Sequence, residues 1–123
     1  MEKQYRIKKN EEISRICSLK KKYNSKNFLV YYSKETTNTI RLAISVSKKF
    51  GNAVERNHAK RIVREIVRPL IQKYQNINLI VVVKPIAKLS KFQNLKEELT
   101  KTISFINNKI NLTKSLKEEA WKK

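Results

Sequence analysis

The spacing of apolar residues along the first half of the chain predicts one helix and two strands. Residues 10–19 place Ile13 and Cys17 at helical spacing behind two acidic residues, which predicts a short first helix. Residues 28–33 and 40–47 alternate between apolar and polar side chains and predict two strands. Because the polar segment between these strands is short, we expect them to pair as a hairpin.

The second predicted helix covers residues 53–67, where apolar residues recur on one side. Asn52 precedes it and Glu55 follows three residues later, which is the spacing of a capping box. Pro69 has no backbone N–H and disfavours helical geometry at Arg68, so we expect a kink or break there.

The remaining pattern predicts a strand and a long helix. Residues 78–84 contain a continuous apolar run, which is typical of a central or parallel strand covered on both faces. Apolar residues then repeat at helical spacing over 91–109, and the polar residues 111–123 are expected to be a loosely held tail. We predict a single α+β domain over residues 1–123, with a core of about residues 5–110. Five aromatic residues are expected in this core: Phe28, Tyr32, Phe50, Phe92 and Phe105.

The high net positive charge of the chain is unusual for a small domain. The 123 residues include 29 Lys and Arg against 10 acidic residues, a formal net charge of +19. At about 100° per residue, one side of the second helix collects five cationic side chains opposite its apolar face. They are Arg56, Lys60, Arg61, Arg64 and Arg68.

This stripe of five cations on the second helix predicts a polyanionic partner. Like charges four residues apart on a helix cost about 0.2–0.5 kcal/mol per pair, and Glu65 is the one acid among them. A solvated helix face is the simpler interpretation, but charge that is not compensated within the helix favours a binding role. Arginine outnumbers lysine here, and its planar guanidinium binds phosphate with two hydrogen bonds.

Several enzyme classes are excluded by what the chain lacks. All ten acidic residues are Glu, and neighbouring pairs on a helix point about 100° apart, so no shared metal site is predicted. The single glycine, Gly51, excludes loops that need several glycines around a phosphate. Cys17 has no partner for a disulfide, and nothing in the spacing around His58 suggests a catalytic base.

The partner is expected to be RNA. No apolar run approaches the roughly 20 residues of a membrane-spanning helix, and the polar N-terminus does not resemble a secretion signal, so a cytoplasmic protein is expected. An anionic membrane is disfavoured because the apolar face of the basic helix is needed by the core. A helix-turn-helix DNA reader is disfavoured because strands interrupt the predicted helices.

The sequence also resembles a known family. Residues 41–49 (RLAISVSKK), 51–54 (GNAV) and 56–65 (RNHAKRIVRE) are similar to the signature region of the bacterial ribonuclease P protein component. The resemblance extends to residues 5–12, 28–31 and 79–85 and covers about residues 5–110. It implies a two-layer α/β sandwich of order αββαβα, a fold also seen in a ribosomal protein domain, with an unusual left-handed crossover between the parallel strands.

The resemblance implies a function in which RNA is the catalyst. In this family the RNA subunit removes the 5′ leader from precursor tRNA, with Mg²⁺ held by the RNA and the substrate. The protein assists as a non-catalytic subunit, and we expect one protein per RNA. By position, the residues implied to bind the RNA subunit are Lys48, Lys49, Arg56, Asn57, His58, Lys60, Arg61 and Arg68. Those implied to bind the leader are Cys17, Leu29, Tyr31, Lys60 and Arg64.

The chain departs from the family pattern at four positions. His58 stands where the motif has its second arginine, and Lys20 where a glycine is common. Ile13 and Cys17 stand where phenylalanines are common, so we expect a thinner aromatic wall in the leader cleft and weak base preference. Core packing is the alternative role for Ile13 and Cys17.

Two alternatives stay open from the residues themselves. One is another non-catalytic RNA-binding protein, for instance a ribosome-associated protein with a related sandwich. The other is a free-standing nuclease, which the scarcity of converging carboxylates disfavours.

Overall fold

A computed structural model gives the fold. It describes residues 6–7, 10–19, 21–34, 40–74 and 76–121, without the side chains of residue 10 and of residues 111–121. The elements are α1 (Asn10–Ser18), β1 (Lys22–Asn24), β2 (Phe28–Lys34), β3 (Ile40–Val46), α2 (Ala53–Ile71), β4 (Ile77–Val83) and α3 (Phe92–Trp121). Short 3-10 helices cover Lys48–Phe50 and Pro85–Leu89.

The α+β class and all six predicted elements are confirmed, and β1 is an addition to them. β1 has three residues with Tyr23 as its single apolar member, so it carries no alternation from which a strand could be predicted. The backbone of α3 continues to Trp121. The prediction of a loosely held tail concerns residues 111–123, whose side chains lie outside the described part of the structure.

The four strands form one mixed sheet in the order β1-β2-β4-β3. β4 is antiparallel to β2 and parallel to β3. The predicted hairpin between β2 and β3 is therefore wrong, because β4 lies between them. β4 is apolar on both faces, and the central position buries both faces while each edge pairs with a neighbouring strand. The prediction of a covered central strand is confirmed, and the hand of the β3-α2-β4 crossover stays a prediction.

The two faces of the sheet carry two separate clusters. On one face, side chains such as Val30, Leu42 and Leu79 pack against α2 and α3 in the main core. On the other face, Ile16 from α1 packs against Ile80 of β4 in a smaller cluster. The residues on this second face include Leu29, Tyr31, Ala43 and Ser45, and α1 covers only part of it.

The start of α2 is held by the predicted capping box. The Glu55 N–H donates to Asn52 Oδ1 at 2.9 Å, and the Asn52 N–H donates to Glu55 Oε1 at 3.2 Å. A Cβ atom at position 51 would lie 2.6 Å from Glu55 Oε1, so a side chain there would displace this carboxylate from the capping box.

Pro69 does not break α2, which continues to Ile71. The alternative of a kink at Arg68 stays a prediction, but the helix is not broken, because the proline lies in its last turn and on the exposed side. There it removes a single hydrogen bond to the Glu65 carbonyl, which water can reach. Leu70, which is 7% exposed, holds the same turn against the core.

Three of the five aromatic residues predicted for the core are buried: Phe28, Tyr32 and Phe50. The prediction is wrong for Phe92 and Phe105, which are 47% and 50% exposed. Phe92 is the first residue of α3 and lines a groove between α2 and α3. Phe105 packs at the edge of the sheet, where its ring centroid is 5.1 Å from that of Tyr23.

Candidate RNA interface

α2 is amphipathic in the way that the sequence predicts. Its buried residues face the main core: Ala59, Val63, Ile66, Val67 and Leu70. Asn57, Arg61 and Arg68 are exposed on the opposite side. Arg56, Lys60 and Arg64 are half-buried and lie one turn apart along one flank of the helix.

Most cations of this stripe have no acidic partner among the residues that the structure describes. Arg68 Nη1 lies 3.1 Å from Glu65 Oε1, an exposed pair of the kind that contributes little. Within the described part of the chain, Arg56, Lys60, Arg61 and Arg64 form no ion pair. The Nε atom of Arg56 is also buried without a hydrogen-bond partner among the described residues. These groups therefore stay available for an anion, at the cost of mutual repulsion.

The N-terminal end of α2 adds two further cations. Lys48 and Lys49 are exposed on the 3-10 helix that precedes it. The acid at this end, Glu55, is held by Lys88 as well as by the capping box. The hydrogen bond from the Lys88 ammonium and the backbone hydrogen bond from Asn52 lower the pKa of Glu55 below its usual value. Its negative charge is therefore balanced locally and does not offset the stripe.

The residues predicted for the leader cleft come together in part. Cys17 of α1 and Tyr31 of β2 pack against the same cluster on the second face of the sheet, and both are half-buried. Ile13 packs there as well, so the core-packing role considered for Ile13 and Cys17 is real. Leu29 lies two residues before Tyr31 and points to the same face. Lys20 lies outside the described residues.

The floor of this cleft is the part of the sheet that α1 leaves open. α1 contacts β2 and β4. Next to the area that α1 covers, one row of paired residues crosses three strands. Leu29 of β2 pairs with Val82 of β4, and Val82 pairs with Ser45 of β3. Leu29 and Val82 are half-buried and Ser45 is exposed, so this row forms a shallow and weakly polar floor.

Lys60 and Arg64 lie on α2, which packs on the face of the sheet opposite to the cleft and contacts the edge strand β3. α2 contacts β3 and α3, and its His58 flank faces α3, so its Lys60 and Arg64 flank faces the β3 edge. No hydrogen bond or ion pair between described residues joins them to Tyr31. Two strand spacings, about 10 Å, separate β3 from β2. That is roughly three nucleotides at the 3.4 Å rise of a stacked strand.

His58 occupies a different surface from the rest of its motif. Its exposed side chain lines a groove with Val54, Ile62 and Phe92, on the flank of α2 that faces α3. The resemblance groups His58 with the residues that bind the RNA subunit. The structure separates it from the Arg56, Lys60 and Arg64 flank by roughly half a helical turn.

An ion pair that sequence patterns do not predict links α1 to β3. The Arg41 guanidinium of β3 binds the Glu12 carboxylate of α1 with two hydrogen bonds, the longer of which is 3.1 Å. Both side chains are largely covered, with 22% and 17% exposure. The two residues are 29 positions apart, so periodicity could not reveal their contact.

The described residues offer no metal centre and no membrane helix. Among them, no three His, Cys or Glu side chains are close enough to hold a metal ion. Glu12, Glu55 and Glu65 are each bound to a cation, and Glu98 accepts hydrogen bonds from Ser25 and Asn27. Across the same residues, no helix is long and apolar enough to cross a bilayer.

Comparison with known proteins supports the same interpretation. Residues 1–107 match the family model described as Ribonuclease P. The chain is 40% identical over 112 residues to the ribonuclease P protein component of Phytoplasma australiense, covering 87% of this chain and 95% of that one. The structure superposes on the RNase P protein of Staphylococcus aureus with a TM-score of 0.77 and 33% identity, covering 83% of this chain and 94% of that chain. The RNase P protein of Thermotoga maritima gives a TM-score of 0.73 and 26% identity, with coverages of 79% and 93%. The chain therefore belongs to the ribonuclease P protein family.

Proposed function

We propose that this ribonuclease P protein clamps the catalytic RNA with α2 and the 5′ leader of precursor tRNA with the second face of its sheet. The observation that carries the proposal is the row of cations on α2, most of which have no ion-pair partner among the described residues, beside the half-open sheet face. Family membership favours this role over that of a ribosome-associated protein.

The RNA subunit would bind the outer side and the N-terminal end of α2. Arg61 and Asn57 are exposed there, and Lys48 and Lys49 extend the cationic surface beyond the start of the helix. Guanidinium groups bind phosphate with two hydrogen bonds, and backbone contacts of this kind position an RNA without reading its sequence. Each protein has one cationic surface of this kind on α2, which fits a complex of one protein with one RNA.

The leader would cross the sheet from the β3 edge towards β2. Lys60 and Arg64 would hold its phosphates at the edge, and the Tyr31 ring would stack on an unpaired base. Leu29 and Cys17 would provide the apolar walls. Because Tyr31, Leu29 and Cys17 offer few hydrogen-bond donors or acceptors to the edges of a base, the cleft should discriminate only weakly between the four bases.

The chemical step would belong to the RNA. The described carboxylates do not fit a protein-held Mg²⁺ site, because they are dispersed and three of them, Glu12, Glu55 and Glu65, are bound to cations. We propose that the Mg²⁺ ions are held by the RNA subunit and the substrate. The protein would contribute affinity for the precursor and no reacting group.

A comparison of precursor and mature tRNA tests this proposal. Addition of the protein to a ribonuclease P RNA should tighten binding of precursor tRNA by about 10-fold or more, because a stacked base and several phosphates are gained. Binding of mature tRNA, which has no leader, should change little. Dissociation constants for the two tRNAs, with and without the protein, provide the measurement. Equal tightening of both would contradict leader binding.

A further inference from the structure

A groove of about 500 Å³ opens between the first half of α2 and the start of α3. Val54, His58 and Ile62 line it from α2, and Phe92 and Leu95 line it from α3. Its volume falls within the roughly 300–1,000 Å³ of ordinary ligand pockets. No role proposed above uses this groove.

The groove exposes side chains that a core would normally bury. Val54 is 76% exposed, Phe92 is 47% exposed, and Leu89 on the adjoining 3-10 helix is 86% exposed. Apolar residues grouped in this way, as opposed to scattered singly, mark binding surfaces. The position of Phe92 also explains why helical periodicity assigned it wrongly to the core.

The surroundings of the groove favour an anionic occupant. Asn57 and Arg61 adjoin its rim, because they lie three and seven residues after Val54 on the same helix. Lys88 lies at one end, and the carboxylate in the lining, Glu55, is held by that lysine. A second copy of this chain would bring a further charge of +19 and would be repelled.

We propose that this groove receives an unpaired base of the RNA subunit, with the Phe92 ring as its stacking platform. The inference rests on the proposed function, since it needs the RNA subunit to lie along α2. The base enters between His58 and Phe92, while its backbone phosphates face the cations at the rim. This combination of an aromatic ring with adjacent positive charge is how proteins hold unpaired nucleotides. His58, which stands where the family motif has an arginine, then widens the apolar entrance at the expense of one permanent charge.

Two phenylalanines on α3 make a matched test. Phe92 and Phe105 are exposed to almost the same extent, at 47% and 50%, but Phe105 lies outside the groove. Phe92→Ala should weaken binding of ribonuclease P RNA by about 10-fold in a filter-binding assay. Phe105→Ala should change it less than about 2-fold. The salt dependence should be unchanged in both variants, because no phosphate contact is removed.

Fluorescence provides a second readout that loss of folding would not mimic. Phe92→Trp in a Trp121→Phe background should retain RNA affinity, and RNA should quench its indole emission by stacking. Phe105→Trp in the same background should show little quenching.

Three results would overturn the inference. They are wild-type affinity in Phe92→Ala, an unquenched indole at position 92, and a change in sedimentation of Phe92→Ala without a change in RNA affinity, which would assign the groove to a second copy. If the wild-type protein itself fails to bind ribonuclease P RNA, the proposed function fails first, so the two failures are distinguishable.

Discussion

Replacing Arg56 and Arg61 together by alanine is expected to weaken binding of ribonuclease P RNA by roughly 100-fold, since each lost charge-assisted hydrogen bond costs about 1.5 kcal/mol or more. Both residues lack an ion-pair partner among the described residues, so their removal frees no acid to compensate. If about five phosphates are neutralised by the wild-type protein, log K falls with log salt with a slope near 4. The double variant should lower that slope by about 2.

The control is a second double variant, which removes two cationic side chains from other elements of the fold. Lys34 on β2 and Lys101 on α3 are exposed, and neither lies on α2 or lines the groove beside Phe92. Lys34→Ala with Lys101→Ala removes the same net charge, so it should retain most of the affinity and the slope. An unchanged slope in the Arg56 and Arg61 variant, or equal losses in both double variants, would mean that α2 does not contact the RNA.

Tyr31→Ala should weaken binding of precursor tRNA by the reconstituted holoenzyme by about 5-fold to 150-fold. Stacking on an aromatic side chain contributes about 1–3 kcal/mol per base. We expect Tyr31 to provide most of this stacking, because Ile13 and Cys17, which pack in the same cluster, have no aromatic ring. Dissociation constants for precursor and mature tRNA measure the effect, which should be confined to the precursor.

Tyr31→Phe separates stacking from the loss of packing in the α1 cluster. It retains the ring and fills the same space, so its affinity for precursor tRNA should stay within about 2-fold of the wild type. If Tyr31→Ala weakens mature and precursor tRNA alike, or if Tyr31→Phe behaves like Tyr31→Ala, the leader does not stack on this residue.

Local patterns predicted the elements because those patterns have local causes. The capping box of α2 needs Asn52 and Glu55 at a fixed spacing, and the sequence itself contains that spacing. Burial of β4 on both faces follows from its continuous apolar run. The cationic stripe follows from the 3.6-residue repeat of α2.

Contacts between residues far apart in the sequence could not be predicted from such local patterns. The insertion of β4 between β2 and β3 depends on which edges pair, and a short connection favoured the wrong hairpin. The Glu12–Arg41 pair and the exposure of Phe92 depend on how α1 and α3 are placed on the sheet. The helical repeat places the candidate cations on one flank of α2 and His58 roughly half a turn away, but the groove that His58 shares with Phe92 depends on the packing of α3 and was not predictable.

Cleavage of labelled precursor tRNA at low Mg²⁺ tests the central claim most directly. The reaction is run with the protein alone, with a ribonuclease P RNA alone, and with both. The protein freed of all RNA should leave the substrate intact, and its addition should strongly accelerate cleavage by the RNA at the mature 5′ end. Cleavage at that position by the RNA-free protein, or an RNA whose rate the protein does not change, would contradict the account.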